Sequence, residues 1–129
     1  MGEQRMRSPL GRARGLGSAR EGAEHWLMQR VTAAALIPLT LWLVASLIAL
    51  TGSDYNTFIT WLRAPFVTIL IVLLLIALFH HMALGLQVVV EDYVHSELAK
   101  IPALVAIRLV CVALAVAGIF ATLRIAFDG

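Results

Sequence analysis

The chain has 129 residues, of which 60% are hydrophobic and only 14% are charged, and its formal net charge is +2. A chain this short cannot bury so much apolar surface in one soluble core. The charged residues crowd the first thirty positions and a short stretch near residues 91–100, with long uncharged runs between them. This pattern excludes an ordinary soluble domain and is typical of a membrane protein.

Three apolar runs are each long enough to cross a bilayer, which takes roughly 20 helical residues. We place the transmembrane helices near residues 31–51, 66–90 and 102–126. The third run opens on Pro102, and proline suits a first helical turn because its missing N–H would be unpaired there anyway. The predicted fold class is an all-α membrane protein with three transmembrane helices.

The distribution of lysine and arginine predicts the orientation, because the excess of positive charge lies on the cytoplasmic side. Six arginines precede the first helix, namely Arg5, Arg7, Arg12, Arg14, Arg20 and Arg30. Lys100 lies between the second and third helices, whereas the connection between the first and second holds only Arg63. We therefore expect a cytoplasmic N-terminus. Residues 1–30 are predicted to form an extended basic arm, and residues 31–129 the membrane anchor.

The basic arm has three competing interpretations. A cleaved transit peptide would be poor in acids, and Glu3, Glu21 and Glu24 argue against that assignment. A polybasic segment resting on anionic lipid is the second interpretation. The third is a strand-like arm laid along a soluble partner subunit, and it is compatible with the second.

The second predicted helix contains two adjacent histidines, His80 and His81. Ionisable residues inside a membrane are costly and mark a pathway, a cofactor or a partner. Adjacent helical residues point about 100° apart, so only one of the two should serve a given site. His81, Gly85, Val88 and Asp92 share one face if the helix continues that far. A haem suits this face, since imidazole ligates iron and glycine admits a flat macrocycle.

An alternative remains open at this point, in which both histidines are interhelical hydrogen-bond partners and Gly85 is a close-packing residue. A six-coordinate haem would also need a second ligand. His25 is in the wrong place for it and His95 lies beyond the membrane edge. A haem-binding role therefore predicts a histidine from another subunit. The single cysteine, Cys111, is interpreted as a small buried apolar residue.

The segment HHMALGLQVVVEDYVH resembles the second helix of the small anchor subunit of succinate dehydrogenase, respiratory complex II. That family has a histidine, a glycine four residues later, and Asp-Tyr eleven and twelve residues later. His81, Gly85, Asp92 and Tyr93 match every spacing. The segment EHWLMQRVTAAALIPLTLW is similar to the start of the family's first helix, and RSPLGRARGLGSAREG is similar to its alphaproteobacterial form. The third helix resembles the family only in hydropathy.

The resemblance implies a heterotetramer in which a flavoprotein oxidises succinate, an iron–sulfur protein carries the electrons, and two three-helix anchors hold haem b and ubiquinone. By the same resemblance, His81 is an axial ligand of the haem iron and the larger cytochrome b anchor supplies the other. Tyr93 then hydrogen-bonds a carbonyl oxygen of ubiquinone, and Asp92 supports that site.

The chain alone is expected to be non-catalytic, because it carries no flavin or iron–sulfur motif. Its expected surroundings are membrane lipid and these partner subunits, with no nucleic acid. The expected location is the bacterial cytoplasmic membrane, with the mitochondrial inner membrane as the alternative.

Arg30 opens the first helix, and we expect it near the depth of the Asp92 end of the second helix. Its planar fork can donate two parallel hydrogen bonds to a haem propionate. Ordinary flanking charge explains the same arginine equally well. Arg108 is a second candidate for the propionates. The tryptophans are interpreted as interface or lipid-facing anchors, namely Trp26, Trp42 and Trp61.

Two other functions are compatible with a three-helix membrane protein. A fumarate reductase anchor would share the fold. A small proton-conducting or scaffold protein would use His80, His81 and Asp92 as a proton path. Transporters are expected to show repeats or discontinuous helices, and the sequence shows neither.

Overall fold

The computed structural model describes the backbone of residues 17–128 and the side chains of residues 22–128. These residues form four helices and no strand: α1 Gly17–Ala49, α2 Tyr55–Arg63, α3 Pro65–Tyr93 and α4 Glu97–Phe127. Three segments are long and apolar enough to cross a membrane: Gly22–Ala49, Pro65–Tyr93 and Glu97–Phe127. The predicted all-α fold with three transmembrane helices is confirmed.

The central helix of the bundle is α3. It packs against both α1 and α4, whereas those two helices make no contact with each other in the described part of the chain. Most of the buried apolar side chains belong to α3, namely Val67, Leu74 and Leu84. Cys111 of α4 is buried as well, as expected for a small apolar residue. The bundle is therefore open on the sides where α1 and α4 stand apart.

The first helix begins earlier than the hydropathy pattern predicts. Residues 17–30, the second half of the predicted extended arm, are helical and continuous with the first span. Beyond Gly22 this stretch is composed mainly of good helix formers such as alanine, glutamate, leucine and methionine. A helix can therefore continue past the apolar span. The rest of the arm, residues 1–16, lies outside the described residues.

The connection between α3 and α4 is shorter than predicted. Only residues 94–96 are not helical, because α3 continues through Tyr93 and α4 begins at Glu97. The Ser96 carbonyl accepts from the backbone N–H of Lys100 at 2.8 Å, and the Lys100 and Glu97 side chains pair at 3.4 Å. Pro102 consequently lies in the second turn of α4 and does not open the helix. Hydropathy did not predict these polar turns, because a helix that faces water can form without apolar residues.

The short helix α2 was not predicted. Asp54 caps it by accepting a hydrogen bond from the Thr57 N–H at 3.0 Å, and the hydrogen bonds from Thr57 lower the pKa of this carboxyl. At its other end, Trp61 stacks on Trp42 of α1 with ring centroids 6.0 Å apart. The helix therefore folds back against the end of the bundle that is remote from the histidines. An Asp N-cap before an apolar-periodic segment is the signal that predicts such a helix.

Candidate functional site

A contact between α1 and α3 holds His81 in place. The Thr32 Oγ1 of α1 lies 3.0 Å from His81 Nδ1 of α3. Thr32 is buried and His81 is half-buried. The same hydroxyl oxygen lies 2.8 Å from the Met28 carbonyl oxygen, one turn earlier in α1. This contact also fixes which residues of the two antiparallel helices lie at the same depth.

The two adjacent histidines have different surroundings. His80 is exposed, and none of the described residues forms a hydrogen bond with its side chain. It leaves the helix about 100° from His81, as neighbouring helical residues do. Of the two histidines, His81 alone is oriented by a contact across helices. The two histidines therefore differ in exposure and in their contacts with α1.

Gly85 lies on a face of α3 where none of the described residues would contact an added Cβ atom. It lies about 40° around the helix from His81, which faces α1, and about 80° from Leu75. Leu75 faces α4, since a Cβ atom at Gly118 would lie only 3.2 Å from its Cδ1. At Gly85 a Cβ atom would meet nothing within 4 Å. Gly85 therefore lies between the two helix contacts, in the angle that α1 and α4 leave open.

We call this surface the α3 groove, and it consists of Leu78, Gly85, Val89 and Asp92. Leu78 and Val89 are 41% and 50% exposed. The groove is apolar along most of its length and ends at the Asp92 carboxylate. Because α3 continues through Tyr93, the expectation that His81, Gly85 and Asp92 share one face is confirmed. Among the described residues no atom lies within 4 Å of a Cβ placed at Gly85, whereas Gly118 is in close contact with Leu75.

Arg30 lies apart from His81. Its guanidinium carbon stands 5.3 Å from the centroid of the Trp26 ring, and its side chain is exposed. Helical geometry places Arg30 about 160° around α1 from Thr32 and roughly 13 Å in depth from Asp92. The expectation that Arg30 lies at the depth of Asp92 is corrected, because the Thr32–His81 contact aligns Arg30 with the residues just after His81.

Arg108 lies at the depth of Gly85. Gly118 of α4 contacts Leu75 of α3, and the two helices are antiparallel. The residue ten positions before Gly118 therefore lies at the same depth as the residue ten positions after Leu75. These two residues are Arg108 and Gly85. The Arg108 side chain is exposed.

Two polar side chains are exposed at the carboxyl end of α3. Tyr93 is 79% exposed, and Asp92 is exposed beside it. Neither side chain forms a hydrogen bond with the described residues, whereas the neighbouring Glu91 accepts one from Gln87 at 2.9 Å. Both lie roughly 16 to 18 Å along the helix from His81. The phenol and the carboxylate are therefore available to a ligand or subunit outside this chain.

Two polar residues of α1 were not expected near the site. Thr32 is one, and the signal for it is a hydroxyl inside an apolar span only two residues after Arg30. His25 is the other: its Nε2 is buried and has no hydrogen-bond partner among the described residues. It lies seven residues before Thr32 and therefore on the same face of α1.

Comparison with known proteins assigns the chain to a family. The sequence pattern of the succinate dehydrogenase/fumarate reductase transmembrane subunits matches residues 4–121. The chain belongs to this family. It is 36% identical over 115 residues to the succinate dehydrogenase hydrophobic membrane anchor subunit of Rickettsia bellii, covering 89% of this chain and 92% of that protein. It is 30% identical over 96 residues to the succinate dehydrogenase membrane anchor subunit of Reclinomonas americana, covering 72% of this chain and 80% of that protein.

The succinate dehydrogenase/fumarate reductase family consists of transmembrane subunits, and the three long apolar helices of this chain agree with that description. The family resemblance predicted from the spacing of His81, Gly85, Asp92 and Tyr93 is confirmed. Residues 4–121 include the whole of α3 and most of α4. The match therefore extends into the helix whose resemblance rested on hydropathy alone.

Proposed function

We propose that this chain is the small membrane anchor of a succinate dehydrogenase, and that it helps to hold haem b and ubiquinone. Electrons from succinate then pass from the iron–sulfur subunit to the quinone. The observation that carries the proposal is His81, whose Nδ1 contacts Thr32 beside a groove that Gly85 keeps open. The names of the relatives agree with this role.

The residues around His81 fit a haem. The described residues contact the His81 ring through Nδ1, and none forms a hydrogen bond with Nε2, so Nε2 is available to iron. Gly85 has no side chain to collide with a macrocycle, and Leu78 and Val89 give the groove apolar surface that excludes water. When bound, haem b supplies a one-electron redox centre at this depth in the membrane. We propose that the larger cytochrome b anchor supplies the second ligand.

Two arginines remain candidates for the haem propionates. Arg108 lies at the depth of Gly85 and is exposed. Arg30 lies on the side of α1 opposite Thr32, so its role as a propionate partner stays a prediction. Its guanidinium lies over the Trp26 ring, with the guanidinium carbon 5.3 Å from the ring centroid.

We propose that Tyr93 and Asp92 contribute to the quinone site. Reduction of ubiquinone to the quinol consumes two electrons and two protons at the two ring oxygens. The exposed Tyr93 hydroxyl can donate a hydrogen bond to one of those oxygens. Its ring suits the membrane interface, where one end of a tyrosine is apolar and the other is wet. Asp92 lies at the same end of α3 and can hold a proton close to that position.

The orientation is part of the proposal. The arginines before α1 and Lys100 near the start of α4 favour a cytoplasmic N-terminus and a cytoplasmic Tyr93. The quinone site then faces the side on which the flavoprotein and iron–sulfur subunits dock. We propose the bacterial cytoplasmic membrane as the location, with the mitochondrial inner membrane as the alternative. Reporter fusions to the two termini test the orientation, and a cytoplasmic C-terminus would contradict it.

Other functions have weaker support. The family description includes fumarate reductase, but the relatives are named as succinate dehydrogenase subunits. A proton path through both histidines and Asp92 is disfavoured, because His80 lies about 100° around the helix from His81 and Asp92 is roughly 16 Å further along.

Purification of the tagged chain in mild detergent tests the proposed function. We expect a flavoprotein, an iron–sulfur protein and a second anchor to co-purify. We also expect a b-type haem difference spectrum and reduction of ubiquinone by succinate in the same preparation. A complex without haem, or a chain without these partners, would contradict the proposal. Faster fumarate reduction than succinate oxidation with ubiquinone-type carriers would favour the fumarate reductase alternative.

A further inference from the structure

We infer that Thr32 is a positioning residue that fixes the tautomer and ring orientation of His81 and so directs Nε2 at the haem iron. The inference rests on the proposed function, because it concerns the same ligand. It adds to the surroundings of His81 a residue of α1 that the sequence analysis did not single out.

The direction of the hydrogen bond follows from the oxygen atoms around Thr32. The Thr32 Oγ1 lies 2.8 Å from the Met28 carbonyl oxygen and 3.2 Å from the Gln29 carbonyl oxygen. A carbonyl oxygen has no hydrogen to give, so the single hydroxyl hydrogen of Thr32 must occupy the short contact to Met28. Towards His81 the hydroxyl oxygen can only accept. The proton of the ring therefore lies on Nδ1, 3.0 Å away.

This tautomer leaves the lone pair of the neutral ring on Nε2. A ligating histidine depends on its other nitrogen for orientation and for its strength as a donor. An acceptor at Nδ1–H pushes electron density towards Nε2, and a hydroxyl that is itself donating is a better acceptor. Thr32 is buried, so water does not compete for the bond. The more basic ligand favours ferric over ferrous iron and lowers the reduction potential of the haem.

The chain offers a matched control for this hydroxyl. Thr122 of α4 is 8% exposed, as Thr32 is. Its Oγ1 donates to the Gly118 carbonyl at 2.8 Å, the same contact that Thr32 makes with Met28. None of the described histidines contacts Thr122. Replacement of Thr122 by valine therefore removes a comparable buried hydroxyl without touching His81.

The test compares Thr32→Val, Thr32→Ser and Thr122→Val in the purified complex. The readouts are the midpoint potential of the haem and the rate of haem transfer to an excess of a haem-free acceptor protein. We expect Thr32→Val to shift the potential in the positive direction and to weaken haem retention by roughly 10- to 100-fold. We expect Thr32→Ser and Thr122→Val to match the wild type.

A wild-type potential and wild-type haem retention in Thr32→Val would overturn the inference, as would equal effects of Thr122→Val. If the Thr32→Val complex does not assemble, Thr32→Ala takes its place with the same expectations, since alanine removes the hydroxyl without adding volume. A variant lacking both His80 and His81 distinguishes failure of the proposed function from failure of the Thr32 inference. If that variant keeps its haem, the proposed function fails; if it loses haem while Thr32→Val matches the wild type, the Thr32 inference alone fails.

Discussion

Gly118 of α4 lies directly against Leu75 of α3, where a Cβ atom at position 118 would stand 3.2 Å from the leucine Cδ1 and 3.3 Å from its Cδ2. Small residues at such positions let transmembrane helices approach closely. The contact sets the distance between α3 and α4 and, with it, one wall of the α3 groove.

Replacement of Gly118 by leucine should therefore push α3 and α4 apart. Overpacking of this kind costs about 1 to 3 kcal/mol. Ala117→Leu introduces the same side chain at the neighbouring position, which is exposed, and is expected to have little effect. The measurement is the fraction of purified complex that remains assembled after heating. Equal thermal stability of the two variants would contradict the contact.

Gly85 has the opposite environment, and its variants should behave differently. Because a Cβ atom there meets nothing within 4 Å, Gly85→Leu is expected to leave the packing of this chain unchanged and to fill the α3 groove. Haem content per complex should fall in Gly85→Leu, and it should fall less in Gly85→Ala. The check is the pyridine haemochrome content of membranes that contain equal amounts of the chain. Full haem content in Gly85→Leu would exclude the groove as the haem surface.

Arg63 is expected to hold the carboxyl end of α4. Its Nε donates to the Ile125 carbonyl at 3.0 Å, and its Nη2 donates to the Asp128 carbonyl. The last carbonyls of a helix have no partner within the helix, so Arg63→Ala should increase hydrogen exchange in residues 121–128. The control is Arg124→Ala, since Arg124 only pairs with the exposed Asp128 of its own terminus at 3.2 Å. Exposed pairs of that kind contribute about 0 to 1 kcal/mol. Similar exchange in both variants would contradict this role of Arg63.

Tyr93→Phe should impair quinone reduction while leaving the haem in place. The change removes a hydroxyl that is exposed at the end of α3 and keeps the aromatic ring. Loss of a donor to the quinone oxygen is expected to lower succinate:ubiquinone reductase activity on the order of 10- to 100-fold. Succinate oxidation by a soluble artificial acceptor should not change. Tyr55→Phe, at the opposite end of the bundle and 75% exposed, is the control. Wild-type ubiquinone reduction in Tyr93→Phe would remove the tyrosine from the site.

The sequence predicted the three spans and the face of α3 because both depend on local patterns. A long apolar run predicts a membrane helix, and helical residues spaced by whole turns share a face. The helix ends were predicted less well. The last turn of α3, which ends at Tyr93, and the first turn of α4, which begins at Glu97, are polar and face water. Hydropathy carries no information about the ends of such turns.

The contacts between helices could not be predicted from the sequence. Thr32 and His81 are 49 residues apart, and no periodicity within either helix indicates that they meet. The different surroundings of Gly85 and Gly118 likewise depend on which helices are neighbours. The misjudged depth of Arg30 has the same origin, because the alignment of α1 with α3 is fixed only by such contacts.

The role of His81 as the haem ligand is tested by the reduced-minus-oxidised visible spectrum of purified complex carrying His80→Ala, or His80→Ala together with His81→Ala. Subunit composition is recorded in the same samples. We expect a wild-type b-type signal in the single variant and its loss in the double variant, with the partner subunits retained. A b-type signal that persists in the double variant, or that is lost in His80→Ala alone, would contradict His81 as the haem ligand.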